Sequence, residues 1–271
     1  MAQRILITGG AGKVATLLRP RLKAPGRILR LLDVAEPAAG EEEVVLASLD
    51  DARAVRAACE GVDAIVHLGG QSKEADAEEV LRVNALGTYH LLEAARLVGI
   101  SRIMLASSTH AAGFHARDDE AFPDGLPADL PPRPDTLYGW SKAAIEALAH
   151  LYADRFGLDI ICVRIGLWFP TPPQNRGLAT WLSPDDGARL VEACLAAPAP
   201  GFRIVWGVSR NTRRWWSLAE GEAIGYFPQD DAEVYAAERL AEFGEPDFVK
   251  DPELNRVGGW WCDWPLARRM D

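Results

Sequence analysis

The sequence is poor in cysteine and in positive charge, and it lacks any long apolar run. Its four cysteines, Cys59, Cys162, Cys194 and Cys262, are scattered, with no CxxC pair and no His/Cys cluster at zinc-ligand spacing. That pattern argues against a disulfide framework or a metal centre and predicts reduced, mostly buried thiols. Acidic residues outnumber basic ones 39 to 29, for a formal net charge of -10. Nucleic acid and anionic membranes both select basic surface, so neither is expected as the main partner, and an anionic small molecule would need a local basic group. No apolar stretch approaches the ~20 residues of a membrane span, and the opening "MAQRILITGG" lacks the charged-then-apolar pattern of a signal peptide. A cytoplasmic location is expected. Internal repeats and low-complexity tracts are absent too.

What is there is an alternation of short Val-, Ile- and Leu-rich runs with longer amphipathic stretches. Strands are expected at 4–8, 27–32, 43–47, 64–68, 102–106, 160–165 and 203–207, and helices at 12–23, 51–60, 76–98, 139–156 and 184–197. Runs this apolar suit strands buried on both faces of a parallel sheet. The helix near 184 opens on "SPDD", with Ser183 as N-cap, Pro184 first and acids in the first turn. Strand and helix in repetition predict an α/β fold, a doubly wound parallel sheet of about seven strands, with ligands beyond the carboxyl ends of the strands. Two regions break the rhythm. Residues 113–137 form a long loop with five prolines, and the last sixty or so residues carry five of the nine tryptophans but one convincing helix, near 231–242. That tail reads as a small cap whose tryptophans form its own core.

The first strand runs straight into a helix through "TGGAGKVA", which sets Gly9, Gly12 and Ala15 at the spacing G-x-x-G-x-x-A, with Lys13 and Val14 opening the helix. Small residues there permit the turn, let backbone approach a pyrophosphate and leave its charge at the helix N-terminus. The second strand ends at Asp33, where a carboxylate can accept from adenosine ribose hydroxyls and would repel a ribose phosphate, so NAD is expected over NADP. A capping role in the turn is the other reading of Asp33. Arg30, two positions back on the strand, is expected to point elsewhere.

The fifth strand ends in "LASSTHAAG", so Ser107, Ser108, Thr109 and His110 emerge at the ligand edge. Tyr138 and Lys142, in "LYGWSK", stand four apart and hence on one helix face. A neighbouring ammonium stabilises a phenolate and is expected to lower the Tyr138 pKa, making it a general base, with Ser108 steadying the substrate oxygen.

"TGGAGKVA", "HLGG", the serine-bearing strand end and "YGWSK" together resemble the extended short-chain dehydrogenase/reductase superfamily over residues 1–166. "RIMLASSTHAAGFH", "RPDTLYGWSK", "RGLATWLSPDD" and "GYFPQDDAE" resemble the bacterial uronate dehydrogenases almost end to end. The resemblance implies an NAD-dependent, Rossmann-type enzyme that oxidises galacturonate or glucuronate at the anomeric hydroxyl to an aldarolactone. It implies Tyr138 as base, Lys142 as its partner and Ser108 as second donor. Cofactor contacts would come from Gly9, Gly12, Lys13, Val14, Asp33, Leu49, Leu68, Gly69, Gly70, Asn84, Tyr138, Lys142 and Ile165. Ser72, Ser108, Thr109 and His110 would meet the sugar, and Arg176 its carboxylate, through two parallel charge-assisted bonds. A Rossmann domain at 1–208, with a substrate loop near 167–182, and a cap at 209–271 would divide the chain. Pairing of the helices at 76–98 and 139–156 across a homo-oligomer is a further possibility.

The chain also departs from that pattern. Thr109 stands where the family has asparagine, Leu167 where it has serine, and Ser48 where an acid usually ends the third strand, while Arg210, Arg213 and Arg214 replace mostly small or polar residues. None touches Tyr138 or Lys142, so they bear on the substrate and not on the reaction type. An epimerase or dehydratase of the same superfamily, a dehydrogenase for another sugar or polyol, and a non-catalytic NAD sensor are the alternatives.

Overall fold

Aliphatic runs, buried on both faces in the inner strands, make the centre of the molecule a sheet, seen in a computed structural model that describes residues 3–117, 122 and 125–270. The elements run β1 (Gln3–Thr8), α1 (Lys13–Leu18), β2 (Arg27–Asp33), β3 (Glu43–Leu46), α2 (Ala52–Cys59), β4 (Ala64–His67), α3 (Ala77–Val80), α4 (Gly87–Val98), β5 (Arg102–Ser108), α5 (Leu137–Phe156) and β6 (Asp159–Ile165). Then come β7 (Leu167–Trp168), α6 (Gln174–Thr180), β8 (Trp181–Leu182), α7 (Pro184–Ala196), β9 (Phe202–Gly207), α8 (Ala219–Ala223), α9 (Ala236–Phe243) and α10 (Pro252–Asn255). Seven strands form one parallel sheet in the order β3-β2-β1-β4-β5-β6-β9, and β7 pairs with β8 apart from it. The strand order reverses beside β1, which pairs with both β2 and β4, and such a switch point opens a crevice at the carboxyl ends.

Alternate strand residues feed two cores. Ile5, Ile7, Leu29, Leu31, Val66 and Val163 pack under α1 and α7, while Leu6, Leu32, Ile65, Ile103 and Ile160 pack under α2, α4 and α5. The expected single helix over 76–98 is three continuous pieces, α3, a π-helical stretch at Leu81–Leu86, and α4. The widened turn carries Asn84, whose buried amide faces the crevice loop, and π stretches recur where a helix presents a functional group. Helix α5 ends at Gly157, whose φ of 69° suits a left-handed cap.

Of the proline-rich loop, residues 118–121, 123 and 124 lie outside the described ones. The rest folds onto the tail: Leu126, Ala128 and Leu130 share a core with Trp206, Trp215, Trp216 and Val257. Beneath them Arg164 is fully buried, paired with Glu146 at 2.8 Å, and donates to the carbonyls of Ala128 and Leu130. One guanidinium thereby ties β6, α5 and the long loop together. Among the described residues no helix is long and apolar enough to cross a membrane.

Candidate active site

Gly9 has φ +68°, and a Cβ there would sit 2.8 Å from the Gly69 nitrogen. Only glycine both adopts that conformation and lets the loops after β1 and β4 close up. The β4 loop is held from behind. The Thr8 hydroxyl accepts from the Gly69 N–H at 3.0 Å and lies 2.6 Å from His67 Nδ1, while Nε2 lies 2.9 Å from the Thr88 hydroxyl. Burial pushes His67 down to about 3, so this ring is a neutral strut.

Asp33 does cap the turn: its carboxylate accepts from the N–H groups of Ala11 and Ala35, each at 3.0 Å. Each oxygen keeps a lone pair, so the capping role and a ribose contact are compatible. Arg30 pairs with Glu43 and reaches the carbonyls of Ala58 and Glu60, away from Asp33. Leu49 packs against Gly87 and Gly69, which brings its apolar side chain to the same edge. Gly9, Gly12, Lys13, Asp33, Leu49 and Gly69 lie along this rim, outside the main cavity. The cleared glycine turn, the helix start and the strand-end carboxylate fit the diphosphate and ribose of a dinucleotide.

The main cavity, about 410 Å³, sits at the ends of β4, β5 and β6, and Val14, Leu68, Gly70, Ser72, Ser108, Thr109, His110, Tyr138, Lys142, Ile165 and Arg176 all line it. Asn84 does not. Its carboxamide accepts from Gln71 N at 2.7 Å and donates to Gln71 O and the Ser141 hydroxyl, so it staples the β4 loop to α5. A Cβ on Gly70 would fall 2.7 Å from Asn84 Oδ1, which is why glycine stands there.

Tyr138 opens α5, where Thr136 caps the helix and the buried Glu74 carboxylate accepts from the N–H groups of Leu137 and Tyr138. Burial pushes the Tyr138 phenol up to about 12, against a hydrogen bond from Ser108 that works the other way. Lys142 lies one turn on, its Nζ 5.7 Å from the Tyr138 ring centre and donating to the Ala106 carbonyl at 2.9 Å. Burial lowers it to about 8. The expectation that the lysine draws the phenol down is therefore not met in the protein alone, because desolvation outweighs one ammonium directed at a carbonyl. A second positive charge at the site would be needed to reverse the sign.

Across the cavity, Arg176 is not a solvated loop residue but sits half-buried on α6. Its Nη1 donates to the carbonyls of Glu253 and Arg256, and its Nη2 to Val257. No carboxylate pairs with it among the described residues, and desolvation lowers it to about 10. A guanidinium has five N–H groups, so it keeps Nε and one Nη2 donor for a planar anion. Of the departures from the family pattern, Leu167 lines the cavity while Arg210 and Arg213 pair with Glu222 and Glu233 outside it.

The sequence reading missed part of the wall. Trp216, Trp260 and Trp261 line the cavity, although only Trp215 and Trp216 belong to the buried core expected for the tryptophans. Trp261 stacks on His110 with ring centres 3.9 Å apart. Asp135, buried beside them, takes the His110 Nδ1 contact at 2.7 Å. No local pattern joins residue 261 to residue 110, and an acid just before a helix reads as a cap.

The NAD dependent epimerase/dehydratase family matches residues 5–183. A uronate dehydrogenase of Pseudomonas putida is 42% identical over 94% of this chain and 94% of its own. A uronate dehydrogenase from Agrobacterium tumefaciens, solved as a mutant complexed with NAD, superposes with a TM-score of 0.90 at 40% identity, covering 100% of both chains. A glucuronic acid dehydrogenase from Chromohalobacter salexigens superposes at 0.91 with 39% identity, over 98% of this chain and 99% of that one.

Proposed function

Because the chain belongs to the NAD dependent epimerase/dehydratase family, we propose that it oxidises a hexuronate, galacturonate or glucuronate, at the anomeric hydroxyl to the aldarolactone. The observation that carries this reading is Arg176, a half-buried cation without a carboxylate partner among the described residues, on the wall of the cavity that also holds Tyr138 and Ser108. An acidic protein that spends a guanidinium this way supplies the local positive charge an anionic sugar requires. The full-length likeness to uronate dehydrogenases supports the same substrate class.

NAD, when bound, accepts the hydride from the anomeric carbon. The loops at Gly9 and Gly12, with Asp33 and the β4 loop, would hold it. Tyr138 takes the proton of the anomeric hydroxyl at its phenolic oxygen, while Ser108 turns its one proton from that phenol to the substrate oxygen. The Lys142 ammonium sets the charge balance beside the phenolate. Ser72, Thr109 and His110 meet the ring hydroxyls, and Trp260 and Trp261 close the apolar side. Arg176 fixes the carboxylate and so the direction in which the anomeric carbon faces the base.

NADH formation with galacturonate, glucuronate and neutral aldoses tests the reading, together with identification of the product as a lactone. Turnover confined to hexuronates supports it. Turnover of a neutral sugar alone would reassign Thr109 and Leu167 to another aldose, and an unreduced, tightly retained NAD with epimerised sugar would assign the chain to the epimerase chemistry.

A further inference from the structure

Asp135 is the least expected acid in the molecule. Its side chain is fully buried, in no ion pair with a lysine or arginine among the described residues, at the junction of three chain segments. Gly113 follows the β5 end, Gly139 lies in the first turn of α5 and Gly258 follows α10, and a Cβ on any of the three would run into the Asp135 carboxylate. Burying a carboxylate is costly unless it is hydrogen-bonded, so a niche cleared by three glycines points to a use for the charge.

Its partners define that use. Oδ2 lies 2.7 Å from His110 Nδ1, and Oδ1 accepts from the Thr136 hydroxyl at 2.9 Å. The ring is further fixed by Trp261, stacked at 3.9 Å, and by the edge of Tyr138, with ring centres 5.8 Å apart. No described residue bonds His110 Nε2, and the ring lines the cavity. An ionised carboxylate only accepts, so it selects the tautomer with hydrogen on Nδ1 and leaves Nε2 a bare acceptor.

We propose that Asp135 is a positioning residue that keeps the His110 proton on Nδ1, so that Nε2 enters the cavity as the acceptor for a hydroxyl of the sugar ring. This rests on the oxidation of a hexuronate proposed above and names how that site reads the sugar. Thr136 makes the role testable. Its hydroxyl accepts from the Gly139 N–H at 3.0 Å and gives its one proton to Asp135 Oδ1, which as a carboxylate can only accept. In Asp135→Asn the amide oxygen stays on Thr136, because the flipped amide would leave the buried Thr136 proton without its acceptor, and the amide nitrogen faces His110. The imidazole proton then moves to Nε2, and the acceptor becomes a donor.

The experiment is a long-range proton–nitrogen correlation spectrum of nitrogen-labelled histidine, recorded without substrate on the neutral ring, with His110→Gln identifying the signal by its loss. The expected result is hydrogen on Nδ1 in the wild type and on Nε2 in Asp135→Asn. That variant should also raise KM for the sugar about tenfold, the effect of one hydrogen bond, while kcat and the NAD dissociation constant stay within about twofold. Hydrogen on Nε2 in the wild type overturns the proposal, as does a variant that keeps it on Nδ1 or that loses kcat and NAD affinity as much as it loses KM. Should Asp135→Asn not fold, the wild-type spectrum alone decides. A wild type that oxidises no hexuronate would defeat the reaction assigned above and leave the tautomer result standing, since the spectrum is read without sugar.

Discussion

The nucleotide side of the crevice is built mostly from backbone and from residues close in sequence, whereas the substrate side is built from side chains gathered from the whole chain. At Gly9, Gly12 and Ala11 the turn, the helix start and the Asp33 contact lie within one strand-helix-strand unit. On the other side Ser72, Ser108, His110, Arg176 and Trp261 come from four segments, and Arg176 is itself oriented by carbonyls near residue 256. A backbone cradle tolerates almost any helix behind it. A side-chain cradle depends on supports such as Asp135, Glu74 and the buried Arg164–Glu146 pair, which set geometry without touching the ligand.

Four changes would break or sharpen that contrast. Tyr138→Phe removes the proposed base between the two halves and should lower kcat about a thousandfold, within the usual range for a general base, while calorimetry should find NAD binding intact. Arg176→Gln should raise KM for a hexuronate about a hundredfold through loss of a charge-assisted pair and leave a neutral aldose unaffected; equal losses on both would make Arg176 a structural residue. Lys142→Met should stabilise the fold at pH 7 by about 2 kcal/mol while abolishing turnover. Burial depresses this lysine from 10.5 to about 8, so the folded state binds fewer protons than the unfolded one between those values. The wild type gains stability as pH rises through that window, and the variant's advantage in denaturant titrations should shrink to nothing near its top. The smallest effect is expected at Gly9→Ala, where a strained φ and the approach to Gly69 should weaken NAD about tenfold with little change in KM for the sugar.

The contrast also explains what could be read from the sequence. The inner strands of the parallel sheet were legible because a strand buried on both faces is a run of aliphatic residues, the half-exposed edge strand β3 from its short apolar run, and the glycine turn because its spacing is local. The pairing of Tyr138 with Lys142 follows from helical periodicity alone. The division of 76–98 by a π stretch was not legible, since it depends on where Asn84 must reach, and no periodicity encodes that. Nor were the supports: Asp135 to Gly258, Glu74 to Ala267 and His110 to Trp261 are meetings of residues more than a hundred positions apart. The direction of the Tyr138 shift was misread for a related reason. The sequence shows the ammonium four residues away but not the burial around the phenol.

The central claim, a proposal, is that Arg176 and Tyr138 together make a hexuronate dehydrogenase of an NAD-binding fold. The ratio of kcat/KM for galacturonate to that for galactose, taken from NADH formation in the wild type and in Arg176→Gln, tests it most directly. The account predicts a ratio of about a hundred or more in the wild type, from one charge-assisted pair, collapsing toward one in the variant. A ratio near one in the wild type, or one that Arg176→Gln leaves unchanged, would contradict it.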